Sequence, residues 1–221
     1  MFDIERYLSC LIGELKNSFG ARLIYVGLQG SYLRGEASER SDIDVMVVID
    51  ALQIGDLKTY RSIIQSLEYF DKSCGFICSK SDLENWNPLE ICHLLHSTRD
   101  YYGVLSDFVP VYTEQDVRNF VKMSMNNLYH EICHRYIHAD IKKNEEYLPA
   151  TYKSVFFILQ NLYYLEHKQF IPTKKELLSV LDNKNLVVLQ RAIALNSGVA
   201  FDFHESFEIL FKWCQETLLK L

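Results

Sequence analysis

Apolar residues along the chain fall into two periods, and the change from one to the other sets out its organisation. Phe2, Ile4, Tyr7, Leu8, Leu11, Ile12 and Leu15 recur at helical spacing and predict an amphipathic first helix that Gly20 ends. Short apolar runs at 22–28 and 45–49 read as strands, and residues 57–69 as a helix carrying Tyr60, Ile63, Ile64 and Leu67 on one face. A strand over 74–78, a short helix over 90–96 after Pro88, and a closing strand over 100–105 follow. Residues 107–112, with Pro110, mark a boundary, and everything beyond it is helical in period. Residues 114–140 form a long helix with Val117, Phe120, Val121, Ser124, Leu128, Ile132 and Tyr136 as its apolar stripe. Helices over 150–167, 185–195 and 204–219 complete the pattern. The expected class is α+β: a small mixed-sheet domain over 1–110, then an all-α helical bundle over 111–221.

The connection between the first two strands holds the chemistry. Gly30-Ser31 turns out of the first strand, and ten residues later Asp42-Ile43-Asp44 opens the second. Side chains two apart on a strand share a face, roughly 7 Å apart along the backbone, so both carboxylates aim at one region. Two like charges so placed repel unless a cation lies between them. A hard ion such as Mg2+ takes one or two carboxylates and completes its shell with water and phosphate oxygens. Gly30 and Ser31, entering a helix, offer backbone N–H groups and a hydroxyl to an anion. A metal site beside a phosphate cradle points to phosphoryl or nucleotidyl transfer.

Composition narrows the partners. The chain is 48% apolar with few Gly and Pro, which argues against disorder. No leader segment and no apolar run of membrane-spanning length is present, so a cytoplasmic protein without a membrane partner is expected. The six cysteines are scattered through apolar segments, as buried thiols are in a reducing compartment. Cys74 and Cys78 would face one side of a strand and read as core packing, since no further metal ligands stand at suitable spacing. The net charge of −6 arises wholly before residue 111, where 10 basic residues meet 16 acidic ones; the remainder holds 13 of each. No basic stripe stands out, which disfavours nucleic acid as a partner. An acidic cleft suits metal ions and a cationic small acceptor.

The form Gly-Ser-x-x-Arg-Gly-x-Ala followed by Ser41-Asp-Ile-Asp-Val45 resembles the signature of the polymerase-beta-like nucleotidyltransferase superfamily, and within it the small bacterial enzymes related to aminoglycoside nucleotidyltransferases. The likeness is specific over residues 22–50; the segment from Glu166 to Leu177 also resembles a turn and helix of these relatives, whose kanamycin-type members end in a helical bundle. It implies a nucleotidyltransferase that binds ATP or another nucleoside triphosphate with Mg2+, two ions by family habit, and moves the nucleoside monophosphate onto a hydroxyl of a small, aminoglycoside-like acceptor. Asp42 and Asp44 would hold metal and carry catalysis, with Gly30, Ser31 and Ser41 at the nucleotide. Arg34 and Arg40 serve either phosphate or local ion pairs, lying among Glu36, Glu39 and Asp42. Lys153 is either a triphosphate contact or a solvated lysine. Relatives can build one site from two subunits, so a homodimer is compatible with the resemblance.

One feature departs from that pattern. The superfamily places a third carboxylate on the strand after Asp-x-Asp, where it completes the metal site and can deprotonate the acceptor; residues 74–80 contain no acid, and Asp71, Asp82 and Glu84 beside them read as loop or cap residues. Glu131 on the long helix is the substitute base that the aminoglycoside relatives suggest. It lies in His130-Glu-Ile-Cys-His134, a literal H-E-x-x-H, but a zinc protease also needs a third ligand and a cleft, and the motif is short enough to arise by chance. The stripe Asn127, His130, Glu131, His134 and His138 is otherwise a solvated face. Two rivals follow: a catalytically weak or inactive nucleotide-binding, antitoxin-like regulator, or a transferase acting on a protein or RNA.

Overall fold

The computed structural model describes residues 2–221, which divide into two compact units, one ending at Tyr112 and one beginning at Thr113. The fold is α+β, with the strands confined to the first unit.

In the first unit, helix α1 (Ile4–Phe19) starts at Asp3, whose carboxylate accepts from the Glu5 and Arg6 amides, and stops at Gly20 with φ 55°. Its buried stripe, Tyr7, Leu8, Leu11, Leu15 and Phe19, packs on one face of the sheet with Leu23, Val26, Leu28, Val45, Val47 and Ile49. The strands are β1 (Leu23–Leu28), β2 (Ile43–Ile49), β3 (Ser73–Ser79) and β4 (Arg99–Tyr102), in the order β3-β2-β1-β4. β1 runs antiparallel to both β2 and β4, while β2 and β3 are parallel, a pairing that needs a crossover helix. That helix is α3 (Ile54–Ser66), closed at its start by a reciprocal Gln53–Asp56 capping box. Between β1 and β2 lies the single turn α2 (Gly30–Leu33). Helices α4 (Lys80–Glu84) and α5 (Pro88–His96) follow β3 and cover the opposite face, where Tyr25, Met46, Val48, Cys78 and Leu83 form a second core.

Arg22, just before β1, ties the sheet to the crossover. Its guanidinium is bidentate to Asp56 at 2.9 Å on both nitrogens and donates to Asp50 at 2.9 Å, holding both carboxyls below their usual range.

The second unit packs α6 (Glu114–His138), α7 (Ile141–Thr151), α8 (Lys153–His167), α9 (Lys174–Val180), α10 (Asn183–Asn196) and α11 (Phe203–Lys220). α6 opens with a Thr113–Asp116 capping box and buries Val117, Val121, Met125, Leu128 and Ile132. Met125 takes the place expected of Ser124, and Tyr136 lies outside the core, against the rings of Phe203 and Phe207. α7 does not follow from the pattern: six of its eleven residues are polar and Pro149 lies inside it, and it is fixed by its Asp140 cap and by buried Asn144, whose side-chain amide donates to the Arg135 carbonyl at 2.8 Å. The expected 150–167 helix is thus α8, offset from α7 at buried Tyr152, whose hydroxyl donates to the Ser206 carbonyl at 2.7 Å. Among the described residues no helix is long and apolar enough to cross a membrane.

Candidate active site

β2 delivers Asp42 and Asp44 to the end of the sheet where β1 turns into α2. The Gln29 amide donates to the Asp44 carbonyl at 2.9 Å, which sets the turn against the strand, and Gly30 follows with φ 70°. A Cβ on Gly30 would lie 1.9 Å from Asp44 Oδ2. The Asp44 carboxylate therefore rests against a backbone that only glycine permits.

Asp44 is half-buried and Asp42 exposed. Burial raises the Asp44 pKa, and the neighbouring Asp42 charge adds to the rise; a hydrogen bond with Cys74 and the Arg34 guanidinium oppose it. A carboxyl desolvated beside a like charge gains from a cation, and two hard oxygen donors beside the start of a helical turn form a donor set that fits Mg2+ and phosphate. No group of three or more His, Cys, Asp or Glu side chains among the described residues is placed to hold a metal, so any ion here rests on two carboxylates and on what its substrate brings.

Around this pair the turn is braced on two sides. Arg34 pairs with Glu36 at 3.1 Å, both side chains largely buried, and also faces His93 of α5. Burial, with Arg34 and His96 nearby, pulls His93 down to about 4, so the imidazole is neutral. On the other side Gln29 Nε2 donates to Thr98 Oγ1 at 2.8 Å, and Thr98 in turn donates to the Leu94 carbonyl at 2.7 Å, fastening the turn to the start of β4.

Gly30, Ser31, Arg34, Asp42 and Asp44 thus meet in one place. Ser41 caps its own loop, accepting from the Ser38 amide at 2.9 Å, and the exposed Arg40 donates its amide to Ser38 Oγ at 3.3 Å. Lys153 and Glu131 belong to the second unit: Lys153 is exposed at the start of α8, and Glu131 pairs with Arg135 at 3.0 Å and accepts from Thr151 Oγ1 at 3.2 Å. His130 and His134 stand edge to face with centroids 5.9 Å apart, and His134 and His138 at 4.8 Å, all three exposed, with no third ligand assembled into a zinc centre among the described residues.

The parallel register of β2 and β3 shows what sequence reasoning missed. It sets Cys74 directly beside Asp44, where the thiol helps hold the carboxyl pKa down against burial. Cys74 is therefore an exposed neighbour of the acid pair, whereas Cys78 is core, as its apolar setting suggests. The acids flanking β3 do not replace a carboxylate there: Asp82 closes a capping box with Ser79, and Glu84 pairs with Lys80.

Comparison with known proteins agrees with this geometry. Residues 10–78, which carry the whole Gly-Ser and Asp-x-Asp construction, match the nucleotidyltransferase domain family. The protein adenylyltransferase MntA of Thermococcus cleftensis is 34% identical over 86 residues, 38% of this chain and 80% of that protein. A putative protein adenylyltransferase of Methanocaldococcus jannaschii is 29% identical over 96 residues, 38% of this chain and 96% of its own length. The chain belongs to the polymerase-beta-like nucleotidyltransferases. Among solved structures, the spectinomycin adenyltransferase AAD(9) from Enterococcus faecialis, determined with ATP and spectinomycin, shares the fold with a TM-score of 0.63 over 98% of this chain and 100% of its own, at 13% identity.

Proposed function

We propose that this nucleotidyltransferase takes ATP with Mg2+ and transfers AMP to a hydroxyl of a small, cationic acceptor. The observation that carries the reading is the Asp44 carboxylate resting against the side-chain-free Gly30 of the α2 turn, with the Asp42 charge beside it. Mg2+ held by these carboxylates would neutralise phosphate charge and favour attack at phosphorus. The chain's own part is positioning: Gly30 and Ser31 present backbone N–H groups and a hydroxyl to the terminal phosphates, and Arg34, oriented by Glu36, adds positive charge beside them. The acceptor oxygen forms a bond to the α-phosphorus, the bond from that phosphorus to the bridging oxygen breaks, and pyrophosphate leaves. The acceptor proton passes to a base as the new bond forms.

A small acceptor is favoured because the likeness to AAD(9) runs through both units, whereas the curated relatives align with only 38% of this chain. A second reading, transfer to a protein hydroxyl, draws on those same relatives, both described as protein adenylyltransferases.

Incubation with α-labelled ATP, Mg2+ and a panel of spectinomycin, aminoglycosides and hydroxyl-bearing proteins tests both. Label in a small acceptor with release of pyrophosphate is expected, and its loss in Asp42→Ala/Asp44→Ala follows from the site. Label only in protein would move the acceptor to the second reading, and no transfer to any acceptor would overturn the enzymatic reading.

A further inference from the structure

The position of Cys74 bears on how many metal ions the site can use, a question that rests on the Mg-nucleotide reading above. Side chains that share the Asp44 face of the sheet follow from the register. On β3 they are Cys74, Phe76 and Cys78; Phe76 is stacked on Trp86 and Cys78 is buried. On β1 they include Gly27 and Gln29, the latter committed to Thr98. On β4 the face carries Asp100, but that strand lies two spacings from β2, so its carboxylate is displaced sideways by roughly 10 Å; Asp100 also accepts from the Tyr25 hydroxyl at 2.6 Å. Glu36, on the connecting loop, is engaged by Arg34.

We propose that the site works with a single divalent ion, the one that arrives with the nucleoside triphosphate, because β3 offers a sulfur side chain and no carboxylate at the position flanking Asp44. One hard ion is satisfied by two carboxylates together with phosphate oxygens and water. A second ion, 3.5–4 Å from the first in two-metal sites, needs an anionic oxygen donor of its own. On the β3 side it would meet the Cys74 sulfur, a soft donor poorly suited to Mg2+ or Mn2+. Cys74 instead flanks Asp44 across the parallel register and acts as a positioning residue for the carboxylate that holds the ion.

The test counts ions directly and does not depend on turnover. Mn2+ is titrated into the full chain saturated with an ATP analogue carrying a methylene between the α and β phosphates, and protein-bound Mn2+ is read by electron paramagnetic resonance. One Mn2+ per chain is expected for the natural sequence and for Cys74→Ser, and a second Mn2+ for Cys74→Asp, whose fold is checked by circular dichroism. Two ions bound to the natural chain would overturn this inference alone and leave the nucleotide reading standing. Unchanged stoichiometry in a folded Cys74→Asp would overturn the role given to the thiol. No bound Mn2+ at all would overturn both, and the count on the natural chain decides even if Cys74→Asp does not fold.

Discussion

Single residues fix the geometry of the acid pair. Gly30 combines a positive φ of 70° with a Cβ position 1.9 Å from Asp44 Oδ2. Gly30→Ala therefore meets both backbone strain, about 1–3 kcal/mol, and a displaced carboxylate. We expect at least a tenfold loss in Mg-ATP affinity, about 1.4 kcal/mol, measured by calorimetry on folded protein; unaltered affinity would show that the cradle does not matter. His93 gives a pH signature. Its pKa falls from 6.5 to about 4 through burial and the Arg34 and His96 charges. The unfolded chain then binds the extra proton between pH 6.5 and 4, so stability drops as the pH falls through that window. Denaturant midpoints across pH should show this acid slope, and His93→Gln should flatten it.

At the scale of elements, the parallel β2–β3 contact depends on a residue that carries no chemistry. Gly75 has φ 106°, and a Cβ there would lie 2.1 Å from the Val45 carbonyl oxygen, an atom of the β2 backbone that has nowhere to go. Gly75→Ala should cost at least about 2 kcal/mol in urea unfolding through strain and collision. Because β3 carries Cys74 beside Asp44, the same variant should also weaken Mg-ATP binding in whatever fraction remains folded. An Ala variant as stable as the parent would mean that β3 relaxes more freely than its register implies. An element interrupted by Pro behaves differently: α7 carries Pro149 and is held by its Asp140 cap and by Asn144, which reaches the Arg135 carbonyl.

For the molecule as a whole, ligand and stability are linked. A ligand that binds only the folded chain adds about 2.7 kcal/mol at a hundredfold excess over its dissociation constant. Mg-ATP should therefore raise the melting temperature of the natural protein and leave that of Asp42→Ala/Asp44→Ala unmoved, as read by scanning calorimetry; an equal shift in both would place the nucleotide elsewhere.

Much of this was legible in the chain. Helical spacing from Phe2 to Leu15, the apolar runs before Gly30 and after Asp44, and the Gly-Ser and Asp-x-Asp spacing determined the α+β class, the family and the acid pair, because local period and turn chemistry are written in adjacent residues. Strand register, side-chain burial and distant hydrogen bonds are not local. Only the tertiary structure could set Cys74 beside Asp44, pull His93 against Arg34 and tie Gln29 to Thr98, since each depends on residues brought together by the fold over separations that no sequence window spans.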